Sequence, residues 1–193
     1  DAVSDVGTVS DVELFSVLVL DLSDSIFNNG VLNDVIDGAD AYVTQVVDNA
    51  EPQFRHQVAI VAFGRPDLVD VVQDFTSDAS LLHTTLASLR SSESRGSTDL
   101  YNAYLLGLDL ADSVGSPDAV VERFVVLISD GTHEAGAEGY LRELALAAKD
   151  QSLANKYTIG IRGNYDACKL EELAGAPESC AGELVGGREG ITC

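Results

Sequence analysis

The chain contains no methionine and no tryptophan, three cysteines and three lysines in 193 residues. Each scarcity excludes something. Without a methionine even at its first position, the chain is expected to be a processed product or one part of something larger. No apolar run approaches the roughly 20 residues a membrane span requires, so direct membrane insertion is excluded. The cysteines, Cys168, Cys180 and Cys193, all lie in the last quarter, with no CxxC pair or nearby histidine to suggest zinc. A local disulfide between Cys168 and Cys180 would staple the segment after the last clear strand and imply an oxidising compartment. Cys193 would then be free or paired elsewhere; three reduced thiols are the alternative. Basic residues are scarce too: 11 against 32 acids, a net charge of -21. That argues against nucleic acid and anionic membrane as partners. It suits a protein that meets cations or works in salty water, and the small share of lysine (Lys149, Lys156 and Lys169) is expected of halophilic or marine proteins. A plain solvated, self-repelling surface accounts for the same charge. No GxxxxGK loop and no GxSxG elbow is present.

What the chain does have is a strong apolar fraction, 46%, with mean hydropathy +0.11. At this length it supports one domain with a full core. Leu14 to Leu20 is an apolar run, interrupted only by Ser16, that reads as a strand buried on both faces. It ends in Asp21, Ser23 and Ser25. Residues 1–13 read as an acidic lead-in, residues 14–193 as the domain, and 175–193 as a Gly- and Cys-containing tail. Phe27 to Gly30 reads as a turn. Helical spacing follows from Leu32 to about Asn49, ended by Pro52. His56 to Phe63 is a second strand. The tight turn Arg65-Pro66-Asp67 permits only an antiparallel partner, so Val71 to Thr76 is expected at a sheet edge. Asp78 is placed to cap a helix bearing Leu82, Leu86 and Leu89. Ser91 to Ser97 is a loop, and a helix follows from Leu100 to Ala111. Arg123 to Ser129 is a strand, Tyr140 to Leu153 a helix, Tyr157 to Ile161 a strand and Lys169 to Ala174 a short helix. The alternation predicts an α/β fold: a Rossmann-like open sheet, mostly parallel with one antiparallel edge strand, helices on both faces.

Three polar clusters fall after strands or at helix starts, the sheet edge where ligands bind in such folds. They are Asp21 to Ser25, Gly96 to Asp99, and Ser129 to Gly131. Together they offer hydroxyls from Ser23, Ser25 and Thr98 and carboxylates from Asp21 and Asp130. Hard cations such as Mg²⁺ take oxygen ligands in this manner. Taken singly, Ser23 or Ser25 reads as well as a helix cap, and Thr98 and Asp130 read rather as a cap and a turn residue; the agreement of all three clusters favours a shared site. Asp24 and Asp99 read as solvated or hydrogen-bonded acids rather than ligands. His133 and Glu134 are candidates for the rim of a binding face, with plain surface the alternative.

DLSDS after a buried strand, GSTDLYNA opening a helix, and VVLISDG, in that order, resemble the three motifs of a von Willebrand factor type A domain. The resemblance runs from about Leu14 to Ala174. It implies that Asp21, Ser23, Ser25, Thr98 and Asp130 form a metal-ion-dependent adhesion site for Mg²⁺, or for Mn²⁺ or Ca²⁺. Ser23, Ser25 and Thr98 would contact the ion directly or through water, and Asp21 and Asp130 would hold waters and hydroxyls. A partner's carboxylate would fill the open coordination position. Integrin β-type relatives carry adjacent acids where this chain has Asn28 and Asn29, so a second metal site is not expected. The tail lacks the apolar helix that often closes the family's fold.

The function expected is a divalent-cation-dependent adhesion module without catalysis, extracellular or on a cell surface, and part of a larger chain. The alternatives are an intracellular scaffold of a multiprotein complex and a metal-dependent phosphohydrolase. The latter is disfavoured because Ser23 stands where such enzymes place a second acid.

Overall fold

The computed structural model describes residues 12–50, 54–117, 119–161 and 165–175. Its centre is β1, Val12–Asp21, where the apolar run predicted a doubly buried strand. Phe15 and every residue from Val17 to Leu20 are buried. The strand starts at Val12, two residues inside the expected lead-in. Polar Glu13 still pairs on both sides, with Arg55 and Val121.

β2, Phe54–Phe63, and β4, Val120–Ser129, flank β1 in parallel register. β3, Val69–Thr76, pairs antiparallel with β2 at one edge, and β5, Asn155–Gly160, pairs parallel with β4 at the other. The order is β3-β2-β1-β4-β5. The short connection after β2 therefore leads to an antiparallel edge strand, as its length requires.

Alternation along β1 divides the core between two faces. Leu18 and Leu20 pack with α2, Leu32–Val43, and α3, Ala79–Arg90. Val17 and Val19 pack with α4, Leu100–Asp112, α5, Glu138–Gln151, and α6, Ala167–Ala174. Asp78 caps α3, accepting from the Leu81 N–H at 3.1 Å.

Two local features depart from the sequence reading. Asp24–Asn28 forms a one-turn helix, α1, before the turn expected at Phe27 to Gly30. The last turn after α2, Thr44–Asp48, is π-helical rather than α-helical. Pro52, expected to end that helix region, lies outside the described residues, as do Cys180, Cys193 and the tail beyond Gly175. Among the described residues no helix is long and apolar enough to cross a membrane.

Candidate metal site

Parallel pairing of β1 and β4 puts their carboxyl ends side by side, with Leu20 opposite Ile128. Asp21 therefore stands beside Ser129. The Ser129 hydroxyl donates to Asp21 Oδ2 at 2.6 Å, and the Ser23 N–H donates to Asp21 Oδ1 at 2.9 Å. Asp21 has no exposed surface. Burial pushes its carboxyl up to about 6, against the opposing effect of the Ser129 and Ser23 hydrogen bonds, and the nearby Asp130 charge adds to the rise. A cation placed beside this pair of acids offsets that penalty.

Ser23 occupies the N-cap position of α1, but its side chain makes no capping hydrogen bond. Instead its Oγ lies 3.0 Å from Ser25 Oγ, two hydroxyls facing one another. Thr98 is likewise not a cap: Asp99 holds the N-cap position of α4. Thr98 is buried, and its Oγ1 is 3.5 Å from Thr132 Oγ1. The Thr132 hydroxyl donates to Asp130 Oδ1 at 2.8 Å, and the Thr132 N–H donates to the same oxygen at 3.1 Å.

The three loops touch through their backbones as well. The Asp24 N–H donates to the Gly96 carbonyl at 2.7 Å, Arg95 N–H to Leu22 at 2.8 Å, and Glu134 N–H to Thr98 at 2.9 Å. Gly131 makes the turn after Asp130 possible, with φ of +76° and Asp166 O 2.8 Å from where a Cβ would stand. The five expected residues thus lie on, or next to, loops that meet at one edge of the sheet.

Sequence reasoning did not assign Ser129 and Thr132 to the site. Both sit inside the VVLISDGT stretch, next to or two residues from Asp130, but nothing in their spacing says where their hydroxyls point. Asp24 is exposed and accepts from the Ser94 hydroxyl. Asp99 is not solvated: it is fully buried, Oδ2 accepts from Asn102 at 2.7 Å, and Oδ1 has no hydrogen-bond partner. His133 packs on Tyr101, ring centroids 4.7 Å apart, with Nε2 3.2 Å from Gly136 O. Glu134 is exposed beside it. Of the expected disulfide, Cys168 is partly buried on α6 and Cys180 lies outside the described residues.

Among the described residues no group of three or more His, Cys, Asp or Glu side chains is gathered to hold an ion. The donor set here is led by hydroxyls instead. Ser23, Ser25 and Thr98 supply neutral oxygens, and Asp21 and Asp130 supply charge. That chemistry fits a hard, oxygen-seeking divalent ion that keeps several waters. It does not fit zinc, which favours N and S ligands.

The sequence profile of the von Willebrand factor type A domain matches residues 17–183. No curated protein matches the chain. Among solved structures, the manganese-loaded TRAP protein of Plasmodium vivax aligns with a TM-score of 0.63 at 17% identity, covering 87% of this chain and 64% of that one. The pilus adhesin SpaC of Lactobacillus rhamnosus GG aligns with a TM-score of 0.67 at 16% identity, over 88% of this chain but only 28% of that one. BatB, a conserved hypothetical protein of Bacteroides thetaiotaomicron, aligns with a TM-score of 0.55 at 21% identity, covering 85% of each. At such identities these likenesses establish the fold.

Proposed function

The chain belongs to the von Willebrand factor type A domain family, and on that premise we propose that it is a divalent-cation-dependent binding module. Asp21, Ser23, Ser25, Thr98 and Asp130 hold Mg²⁺, with Mn²⁺ and Ca²⁺ as alternatives, and a partner's carboxylate completes the coordination. The observation that carries this reading is the convergence of the three loops at the carboxyl end of the sheet, with two serine hydroxyls 3.0 Å apart. The bound ion supplies an electrophile for an acidic group. The protein's own contribution is to orient neutral hydroxyls and to keep its acids hydrogen-bonded: Asp21 by Ser129 and Ser23, Asp130 by Thr132. Few charged ligands leave the ion able to attract a further anion.

The module binds without catalysing a reaction. It acts outside the cell as one domain of a longer protein. The pilus adhesin and the TRAP protein, both longer than this chain's match to them, are compatible with that placement. Calorimetric titration with Mn²⁺ tests the metal site. The parent is expected to bind, and Asp21→Ala to lose affinity by about tenfold or more. Equal binding by the two would overturn the reading. A further expectation is that EDTA lowers the melting temperature of metal-loaded protein, because an ion that binds only the folded state stabilises it by mass action.

A further inference from the structure

The loop that delivers Thr98 is SSESRGS, Ser91 to Ser97. It contains no apolar residue, so burial cannot hold it in place. Its one basic side chain is Arg95, which is only 17% exposed despite its charge. Nη1 of Arg95 reaches the carbonyls of Ala62 at 3.0 Å and Leu68 at 3.2 Å, and Asp70 Oδ2 at 3.0 Å. All three acceptors belong to the β2–β3 hairpin. The backbone repeats the connection: Arg65 N–H donates to the Arg95 carbonyl at 3.0 Å, and Asp99 N–H to the Gly64 carbonyl at 2.7 Å. Gly64 lets the loop approach the hairpin this closely, since a Cβ there would stand 2.3 Å from Arg95 Cβ. From the other side, Arg95 N–H holds the Leu22 carbonyl, one residue before Ser23.

We propose that Arg95 is the positioning residue of the metal site: its clamp on the β2–β3 hairpin sets where Thr98 stands relative to Ser23 and Ser25. This rests on the metal-binding reading above. A side chain that touches no ion thereby controls ion affinity, because its three contacts tie to the hairpin a loop that is otherwise held by backbone bonds and short serine contacts. A half-buried guanidinium whose Nη1 meets two carbonyls and a carboxylate suits this task, since its planar group is pre-organised and loses little freedom on binding. Lysine, a flexible point donor, serves it less well.

The test uses the full chain and Mn²⁺ in two measurements. In EDTA, hydrogen exchange of Arg95→Ala is expected to speed up at the Asp24 and Asp99 amides, which bond across the loop. Amides of β1 from Val17 to Leu20 are expected to stay protected as in the parent. In Mn²⁺, affinity is expected to fall by about tenfold, the size typical of outer-sphere supports. Arg95→Lys is expected to fall between the two. Arg90→Ala, which removes an arginine paired to Asp37 on the surface, is expected to leave affinity unchanged. If Arg95→Ala lowers protection uniformly through β1, or binds Mn²⁺ as the parent does, the proposal is overturned. Where Arg95→Ala does not fold, parent-like affinity in Arg95→Lys overturns it instead. A parent that binds no Mn²⁺ while the exchange result holds would bring down the metal reading, and the proposal with it.

Discussion

At the scale of single residues, the two ends of β1 treat buried polar groups in opposite ways. At the carboxyl end Asp21 is buried beside another acid. At the other end His56 is buried beside hydroxyls: its Nε2 is 2.7 Å from Ser16 Oγ, which is 2.6 Å from Tyr42 OH. Burial pushes the His56 imidazole down to about 4. The unfolded chain takes up a proton near the ordinary value of 6.5, and the folded chain only near 4. The His56 contribution is therefore present in full above about pH 6.5 and falls as pH falls through this window, by roughly 3 kcal/mol once both states are protonated, while the raised Asp21 carboxyl acts in the opposite sense over much of the same range. Urea denaturation of parent and His56→Gln, followed from neutral to acidic pH, isolates it: the stability of the parent relative to the variant is expected to fall as pH falls. Near the metal site, Ser129→Ala leaves one oxygen of buried Asp21 without its donor. A loss of about 1–3 kcal/mol at neutral pH is expected from the same measurement. The five motif residues were legible in the sequence because their types and spacing are unusual together. Ser129, Thr132 and Arg95 were not, because their roles depend on which atom faces which across the fold. Asp99, read as solvated or hydrogen-bonded, is the second of these: it accepts from Asn102, and its burial depends on neighbours in space.

At the scale of elements, α3 is attached to its neighbours by two means. Leu82, Leu86 and Leu89 are buried beneath it. On its outer side His83 bridges Asp40 at 2.7 Å and Asp48 at 3.0 Å, which joins α3 to α2 and to the π-helical turn. Leu86→Ala is expected to destabilise by about 2–5 kcal/mol in chemical denaturation, the usual cost of emptying a buried leucine site. The His83 contribution has the opposite pH sign to that of His56. Hydrogen bonds from Asp40 and Asp48 raise the imidazole above its ordinary value. Its contribution is present in full below about pH 6.5 and is lost as pH rises through the folded value. His83→Ala is thus expected to lower the melting temperature more in mildly acidic than in alkaline buffer. Periodicity revealed the long helices and the buried strands, since a face must be apolar to pack. It missed α1 because five residues are too few for a period. It could not mark Thr44–Asp48 as π-helical, because that distinction lies in hydrogen bonding rather than composition.

At the scale of the whole molecule, a net charge of -21 opposes compaction. Salt screens that repulsion, with a Debye length falling from about 30 Å at 0.01 M to about 10 Å at 0.1 M. The melting temperature in EDTA is accordingly expected to rise as NaCl is added, and a fall would show that specific ion pairs outweigh the general repulsion. An acidic peptide offered to the metal-loaded protein is expected, for the same reason, to bind less tightly at low than at moderate salt. The amino-acid sequence alone determined the fold class, the order of strands and helices, the antiparallel edge and the identity of five candidate site residues. All of these follow from local rules: period, turn length and the kinds of side chain that follow a buried strand. The tertiary structure decided what those rules do not contain. It placed two serines face to face, set Ser129 against Asp21 and Thr132 against Asp130, and fastened a serine-rich loop to a distant hairpin through one arginine. The loops that carry residues 23 and 130 follow the parallel strands β1 and β4, and the loop that carries residue 98 is bonded to both, so their meeting at one edge arises from folding.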